Sequence, residues 1–294
     1  MKICAVVVTY NRCELLKMCL EALERQTQKI TEIIVINNCS NDNTEEYLNS
    51  VKDKDYISII NLEKNIGGAG GFNYGIKLAY EKDYDYIWVM DDDTIASPNA
   101  LEKLINKLSV LEEKRVGFIC SNVLYKDGKV CLMNVPGIDG IWNEKLTENL
   151  VRVESASFVS LLISNESIRK VGLPIKEFFI WGDDVEFTKR ITKELDGYLS
   201  IDSQVYHYMK ENKGVDIVNE DGDRLERYFY QFRNKFYISK KNGYKYIIKY
   251  IYFILKTSLN ILLKSKNKFG KFKILVKGFA NGIFFNPPIE YIEK

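Results

Sequence analysis

Tyr86-Ile87-Trp88-Val89-Met90-Asp91-Asp92-Asp93-Thr94 runs four apolar residues, Ile87 to Met90, straight into three carboxylates. Both side-chain faces of that run are apolar, so it reads as a strand buried on both sides, as in a parallel sheet. Ligands of such sheets bind at the carboxyl ends of the strands. Three unpaired carboxylates are too costly to be core residues, and they repel one another unless a cation sits among them. A divalent ion with oxygen ligands, Mn²⁺ or Mg²⁺, meets that need. An ion held in this way commonly shares its shell with a phosphorylated substrate. The competing reading is a solvated acidic loop followed by a helix cap, since acids favour helix N-termini.

Outward from this stretch, strand and helix signals alternate. Residues 2–10 (KICAVVVTY) read as a strand, and residues 14–25 follow with helical periodicity. Residues 32–38 (EIIVINN) and 56–62 are further strands, and Ser40 and Asn41 can cap the helix between them. A glycine-rich turn leads into a helix over 69–81. Pro98 marks the first turn of a helix running to about Glu113. Residues 116–125 are a fifth strand, and the pattern turns irregular over 126–150. It resumes with an apolar stretch over 151–163 and a short helix near 166–171. A helix opens at FFIWGDDVEF (178–187) and ends near Leu195, and a strand follows over 199–208, where His207 lies. The alternation predicts an α/β sandwich with a mainly parallel sheet.

A chain of 294 residues has room for about two domains. We expect a catalytic domain over 1–222 and a helical, Lys- and aromatic-rich region over 223–294. Hydrophobic residues make up 46% of the chain, enough for a large core. The six cysteines show no C-x-x-C pair and several lie in apolar runs, which suggests buried free thiols in a reducing cytosol. The N-terminus has no signal-peptide pattern. The whole-chain charge of +2 hides an asymmetry. Residues 235–294 hold thirteen Lys, two Glu and no Arg or Asp, a surplus of +11. Such a surplus points to an anionic partner surface.

Several constellations gather at the same sheet edge. The first strand ends in Thr9-Tyr10-Asn11-Arg12 and the second in Asn37-Asn38-Cys39-Ser40-Asn41-Asp42. Tyr10 can stack on a base, and Asn38 and Asp42 can bond base or ribose edges. Ordinary turn and cap chemistry explains Ser40 and Asp42 equally well. Gly67, Gly68, Gly70 and Gly71 allow close backbone approach to a ligand, and the helix start that follows offers N–H groups to an anion. The spacing is neither a dinucleotide fingerprint nor a P-loop. Asp183, Asp184 and Glu186 form a second acidic cluster behind Trp181, and a carboxylate there can take a proton from a hydroxyl. His207, as a neutral imidazole, can complete an Asp, Asp, His metal site.

VVVTYNR, IIVINNCSNDNT, NIGGAGGFNYG, WVMDDDT, FFIWGDDVEF and the later His207 occur in an order that resembles family 2 glycosyltransferases of the GT-A fold. The resemblance covers roughly residues 2–240. It implies transfer of a sugar from a nucleotide diphosphate donor with inversion. It implies that Asp91, Asp93 and His207 bind the Mn²⁺ or Mg²⁺ ion and that Asp184 is the catalytic base. Trp181, Asp183 and Glu186 fall on the acceptor side. Thr9, Tyr10, Arg12, Asn38, Asn65, Gly71, Asp91 and Asp92 fall on the donor side. The GGAGGF turn and the W-x-D-D-x-E segment look most like bacterial galactofuranosyltransferases, which use UDP-galactofuranose. Rhamnosyltransferases using dTDP-rhamnose share much of the pattern. A lipid-linked or polysaccharide acceptor in bacterial cell-surface glycan synthesis is the implied setting.

Two other readings compete. A nucleotidyltransferase needs a basic, glycine-rich loop near the N-terminus, and Thr9–Arg12 has no glycine. A catalytically inactive membrane-binding module is at odds with intact DDD, DDVE and His207.

Residues 244–263 are mostly apolar and long enough to span a bilayer. Their lysines argue for a different placement. Lys249 and Lys256 lie about 40° and 20° around a helix from Lys245, and Asn260 about 60°. One narrow polar stripe suits a helix lying in the interface better than one crossing it. With the lysines and phenylalanines of 264–279, this suggests peripheral attachment to an anionic membrane, at the inner face of a cell membrane for a cytoplasmic enzyme. Nucleic acid is not expected, because Arg, which leads base contacts, is absent here.

Overall fold

The computed structural model describes residues 1–111, 115–222 and 224–292. The chain divides into two compact units. The first comprises Met1–Lys176, Asp184–Lys213 and Ile289–Lys294, and the second Glu177–Asp183 and Gly214–Pro288.

The first unit is built on strands β1 (Ile3–Thr9), β2 (Glu32–Asn37), β3 (Ile57–Asn61), β4 (Tyr86–Asp91) and β5 (Thr94–Ala96). They are followed by β6 (Val116–Tyr125), β7 (Gly137–Ile138), β8 (Leu150–Ser155), β9 (Leu161–Ser164) and β10 (Asp196–His207). The sheet order is β3-β2-β1-β4-β9-β6-β10-β8-β7, with β5 paired to β10. The pairs β1/β2, β2/β3, β1/β4 and β6/β10 are parallel, while β9 runs antiparallel to β4 and β6. The fold is therefore mixed α/β with a mostly parallel central sheet.

Period-two alternation divides each central strand between two cores. Ile3, Ala5 and Val7 join Trp88 and Met90 on one face, and Cys4, Val6 and Val8 join Ile87 and Val89 on the other. Both faces of 87–90 are buried, as expected of a strand inside the sheet, and Asp92 and Asp93 at its end are buried too, which a solvated acidic loop would not be. The first face is covered by α1 (Cys13–Glu24), through Leu16, Leu20 and Leu23, and by α4 (Ala100–Leu108). The second is covered by α3 (Gly67–Glu81), through Phe72, Ile76 and Tyr80. Between these, α2 (Thr44–Val51) buries Leu48. Each fully buried aliphatic side chain contributes about 1.5–3 kcal/mol.

Several boundaries move from their sequence positions. Pro98 precedes α4 rather than entering it, and residues 112–114, where that helix was expected to end, lie outside the described residues. Asp223, at the expected domain boundary, does too. The apolar stretch over 151–163 is two strands, β8 and β9, separated by the turn at 156–160. After α5 (Asn165–Val171), the helix expected from Phe178 begins only at Asp183, as α6 (Asp183–Ile191). Phe179, Trp181 and Gly182 hold φ of +65°, +64° and +90°, which no α-helix accommodates.

The second unit packs α7 (Tyr228–Lys241), α8 (Tyr244–Lys264) and α9 (Lys268–Phe284) around Phe232, Phe236, Tyr250, Ile254, Ile261, Ile274 and Leu275. A Cβ on Gly278 would lie 2.7 Å from the Phe229 carbonyl oxygen, so this glycine lets α9 close against α7. Three arcs divide α8. Tyr250, Ile254 and Ile261 are buried. Ile248, Tyr252, Leu255, Leu259 and Leu263 face outward, each more than half exposed. Lys245, Lys249 and Lys256 flank that apolar arc and are also exposed.

Candidate functional site

β1 and β4 run parallel with Val8 opposite Asp91, so their carboxyl ends bring Thr9–Arg12 and Asp91–Asp93 to one sheet edge. Asp92 is the hub of that edge. Its Oδ2 accepts from Thr9 Oγ1 at 2.8 Å and from the Tyr10 backbone N–H at 3.2 Å. Its Oδ1 accepts from Arg12 Nη1 at 3.1 Å, and the same nitrogen donates to Asp93 Oδ2 at 2.5 Å. Thr9 and Asp92 are only 1% and 3% exposed, so they build the wall of the edge rather than its face. Burial pushes the Asp92 carboxyl up to about 6, against the pull of Arg12.

His207 arrives from far along the chain by a local device. Directly after Asp93 the chain forms β5, which pairs antiparallel with the end of β10 and sets Thr94 opposite His207. The Tyr208 N–H closes the arrangement by donating to the Asp93 carbonyl at 2.8 Å. One ligand atom each from Asp91, Asp93 and His207 then lies within 4.8 Å of the others. Burial and the neighbouring Asp93 charge push Asp91 up to about 7. Burial opposes ionisation of Asp93 too, but His207 and Arg12 hold it below the usual carboxylate range. Burial lowers the imidazole's affinity for a proton, but the bond to Asp93 and the charges of Asp93 and Asp91 outweigh it and push His207 up to about 10.

This donor set fits a divalent ion. Asp93 Oδ1 is buried and accepts no well-formed hydrogen bond, although His207 Nε2 stands 3.0 Å away. A carboxylate oxygen and an imidazole nitrogen converge as an ion pair without a well-aligned hydrogen bond, an arrangement that a common cation satisfies. The field that retains a proton on the imidazole attracts a metal ion in its place.

The other donor-side residues are mainly engaged within the protein. Asn38, 2% exposed, donates to the Gly67 carbonyl at 3.0 Å and accepts from the Ile66 N–H at 2.9 Å, pinning the start of α3 to the end of β2. Asn65 Oδ1 accepts from the Gly67 N–H at 2.8 Å. The glycine-rich turn is itself the opening of α3. A Cβ on Gly71 would meet Val8 Cγ1 at 2.6 Å, so this glycine serves helix–strand packing rather than the ligand approach expected of it. Gly68 has open space instead. Asp42 accepts from the Cys13 and Thr44 N–H groups and acts as a cap. Tyr10 is 40% exposed and its ring remains available.

Asp184 sits in the first turn of α6. Its Oδ1 accepts from the Val185 N–H at 2.7 Å, and the Phe158 N–H also bonds to the carboxylate. Burial outweighs these donors and pushes the group up to about 6. Glu186 differs from expectation. It is 7% exposed, and both oxygens are held by Arg190 at 3.0 and 2.9 Å, so it braces α6 instead of facing an acceptor. Asp183, also buried, closes the segment that belongs to the helical unit. Within that unit Trp181 packs edge-on against Tyr228 at 5.1 Å.

Two asparagines were not singled out from the sequence. Asn234, 1% exposed, donates to the carbonyls of Phe178, Ile180 and Trp181 at 3.0, 3.1 and 2.9 Å, holding the left-handed turns in place. Its signal is a polar residue inside an aromatic helix. Asn134, in the irregular stretch before β7, meets His207 Nδ1 at 2.7 Å, and no local pattern marks it.

Residues 4–147 match the family model described as glycosyl transferase family 2. The galactofuranosyltransferase GlfT1 of Mycolicibacterium smegmatis is 30% identical over 204 residues, which is 65% of this chain and 65% of that protein. The protein of the same name from Mycobacterium tuberculosis is 24% identical over 83% of this chain and 84% of its own length. Among solved structures, Staphylococcus aureus TarS 1–349 superposes with a TM-score of 0.55 at 17% identity, covering 97% of this chain and 72% of that one. GalNAc-T7, crystallised with UDP, GalNAc and Mn²⁺, gives 0.61 at 15% identity, covering 96% of this chain and 57% of that one.

Proposed function

We propose, from the premise that the chain carries a family 2 glycosyltransferase domain with a GT-A fold, that it transfers a sugar from a nucleotide diphosphate donor with inversion at the anomeric carbon. The observation that carries this reading is the convergence of Asp91, Asp93 and His207 at the strand ends.

In this reading Asp91, Asp93 and His207 hold Mn²⁺ or Mg²⁺. An ion bound there supplies counter-charge to the departing diphosphate. Thr9 and Asp92 anchor the wall, and Arg12 offers its guanidinium to phosphate oxygens. Tyr10 stacks on the base, and Asn38 and Asn65 fix the α3 start that borders the nucleotide. Asp184 takes the proton of an acceptor hydroxyl as its oxygen attacks the anomeric carbon opposite the diphosphate. That single displacement inverts the centre. We assign Trp181 and Asp183 to contacts with the acceptor.

UDP-galactofuranose is the donor we favour, supported by the two mycobacterial relatives and by the sequences at 67–72 and 181–186. The alternative is dTDP-rhamnose. The test incubates the full chain with Mn²⁺ and a panel of nucleotide sugars, reading nucleotide release and product mass. Mn²⁺-dependent turnover of UDP-galactofuranose supports the reading. Turnover of dTDP-rhamnose alone changes the donor, and no turnover of any nucleotide sugar overturns the function.

We also propose a lipid-linked glycan acceptor, reached from the inner face of a bacterial cell membrane. The support lies on α8, where an exposed leucine-rich arc adjoins Lys245, Lys249 and Lys256. An apolar face beside a cationic one suits an anionic bilayer surface. Flotation with vesicles containing anionic lipid tests it. Leu255→Gln with Leu259→Gln should abolish flotation at low salt while leaving donor turnover intact. Intact protein that stays unbound, or a double variant that still floats, overturns the attachment.

A further inference from the structure

Asn134 lies between two groups that the proposed reaction uses separately. Its Oδ1 is 2.7 Å from His207 Nδ1 and accepts from Cys131 Sγ at 3.0 Å. Its Nδ2 donates to Ser157 Oγ at 3.0 Å. The next residue, Phe158, gives its backbone N–H to the Asp184 carboxylate. One amide thus touches the imidazole on one side and, on the other, the turn that bonds Asp184.

The chemistry of the amide decides what it does to the imidazole. A carbonyl oxygen only accepts, so the His207 nitrogen facing it must carry a proton. A proton fixed on Nδ1 leaves Nε2, the nitrogen facing Asp93 Oδ1, as the one able to donate its lone pair to a cation. Histidine ligands of metals are held this way by a partner on the second ring nitrogen, and losing that partner typically costs about 10–100-fold in metal affinity. The Cys131 thiol, which donates to the same oxygen, favours the orientation in which Oδ1 faces the ring.

We propose that Asn134 is a positioning residue, setting the tautomer and direction of His207 for the metal ion while tying that ligand, through Ser157, to the turn that supports Asp184. The inference rests on the metal-binding reading of Asp91, Asp93 and His207.

The chain has one histidine, which makes the test specific. Mn²⁺ affinity of the full chain, read by electron paramagnetic resonance without donor, should fall about 10–100-fold in Asn134→Ala. Asn134→Asp retains an acceptor for Nδ1–H and should stay within a few-fold of wild type. Nitrogen-15 histidine spectra of the Mg²⁺-loaded protein should show the proton on Nδ1 in wild type and Asn134→Asp. Unchanged Mn²⁺ affinity in Asn134→Ala overturns the inference. Should that variant not fold, a proton on Nε2 in loaded wild type overturns it. Loss of Mn²⁺ binding in Asp93→Ala shows that the metal site itself stands. Wild type that binds no Mn²⁺ means that the metal reading has failed instead.

Discussion

Asp93 and Asp184 are both aspartates at the ends of sheet-unit elements, the first buried and the second half-buried, yet their surroundings drive them in opposite directions. Asp93 has Arg12 at 2.5 Å and His207 at 3.0 Å, and these cations hold it ionised. Asp184 has backbone N–H donors and no cationic partner among its recorded contacts, and burial pushes it up to about 6. The difference is one of neighbours rather than residue type. Clustered carboxylates with an unsatisfied oxygen attract a cation, whereas a carboxyl in a desolvated turn with no cation beside it attracts a proton.

The largest break in that comparison is Asp93→Ala. It removes a cation ligand outright, and turnover should fall below detection, as it should in excess EDTA. Full turnover under chelation would refute the metal assignment. Asp184→Asn comes next, because the amide retains an acceptor but cannot take a proton. Turnover should drop about 10²–10⁴-fold while Mn²⁺ and nucleotide binding remain. A near wild-type rate removes Asp184 from the base role.

The same variant sharpens the comparison through stability. The folded-state value of about 6 exceeds the ordinary 3.8, so the Asp184 contribution is complete below about pH 4 and is lost as pH rises through 6. Asn titrates nowhere in this range. The Tm advantage of Asp184→Asn should therefore open between pH 4 and 6 and persist at pH 7. A variant less stable than wild type at pH 7 contradicts the burial argument.

Arg12→Gln tests the other side. It removes the charged bonds to Asp92 and Asp93 and should lower stability by about 1–3 kcal/mol in metal-free protein. Added Mn²⁺ should restore much of that loss by replacing the guanidinium as counter-charge, which thermal melts with and without the ion will read. Equal Tm values for the variant and wild type without metal would show that Arg12 is not the counter-charge. The smallest effect is the acid limb of wild-type turnover, expected near pH 6 from Asp184. A flat rate down to pH 4.5 excludes that assignment.

Residues 87–90 announced a doubly buried strand because no polar residue interrupts either face, and the two cores divide those residues in alternation. Asp91, Asp93 and His207 were legible as chemistry: acids after such a strand, and one imidazole at the end of another. Glu186 was misread because its spacing from Arg190 is that of a helix ion pair, while the neighbouring acids suggested a shared task. Gly71 was misread because a glycine needed for a ligand and one needed against Val8 look alike in sequence. The turns at Phe179 and Trp181 carry no sequence signal, since bulky residues rarely adopt positive φ. Asn234 and aromatic packing hold them there.

The sequence by itself determined the alternating strands and helices, the two buried faces of the central strands, the residue types at the strand ends and the lysine stripe of α8. Each of these is a property of neighbours within a few residues, where side-chain periodicity is fixed by backbone geometry. Only the tertiary structure decided which ends meet. The β1/β4 register joins Thr9 and Arg12 to Asp92, and the β5/β10 pairing carries His207 to Asp93. The irregular stretch before β7 supplies Asn134 behind the imidazole. Those meetings depend on strand order and register between segments far apart in the chain, which local periodicity does not encode.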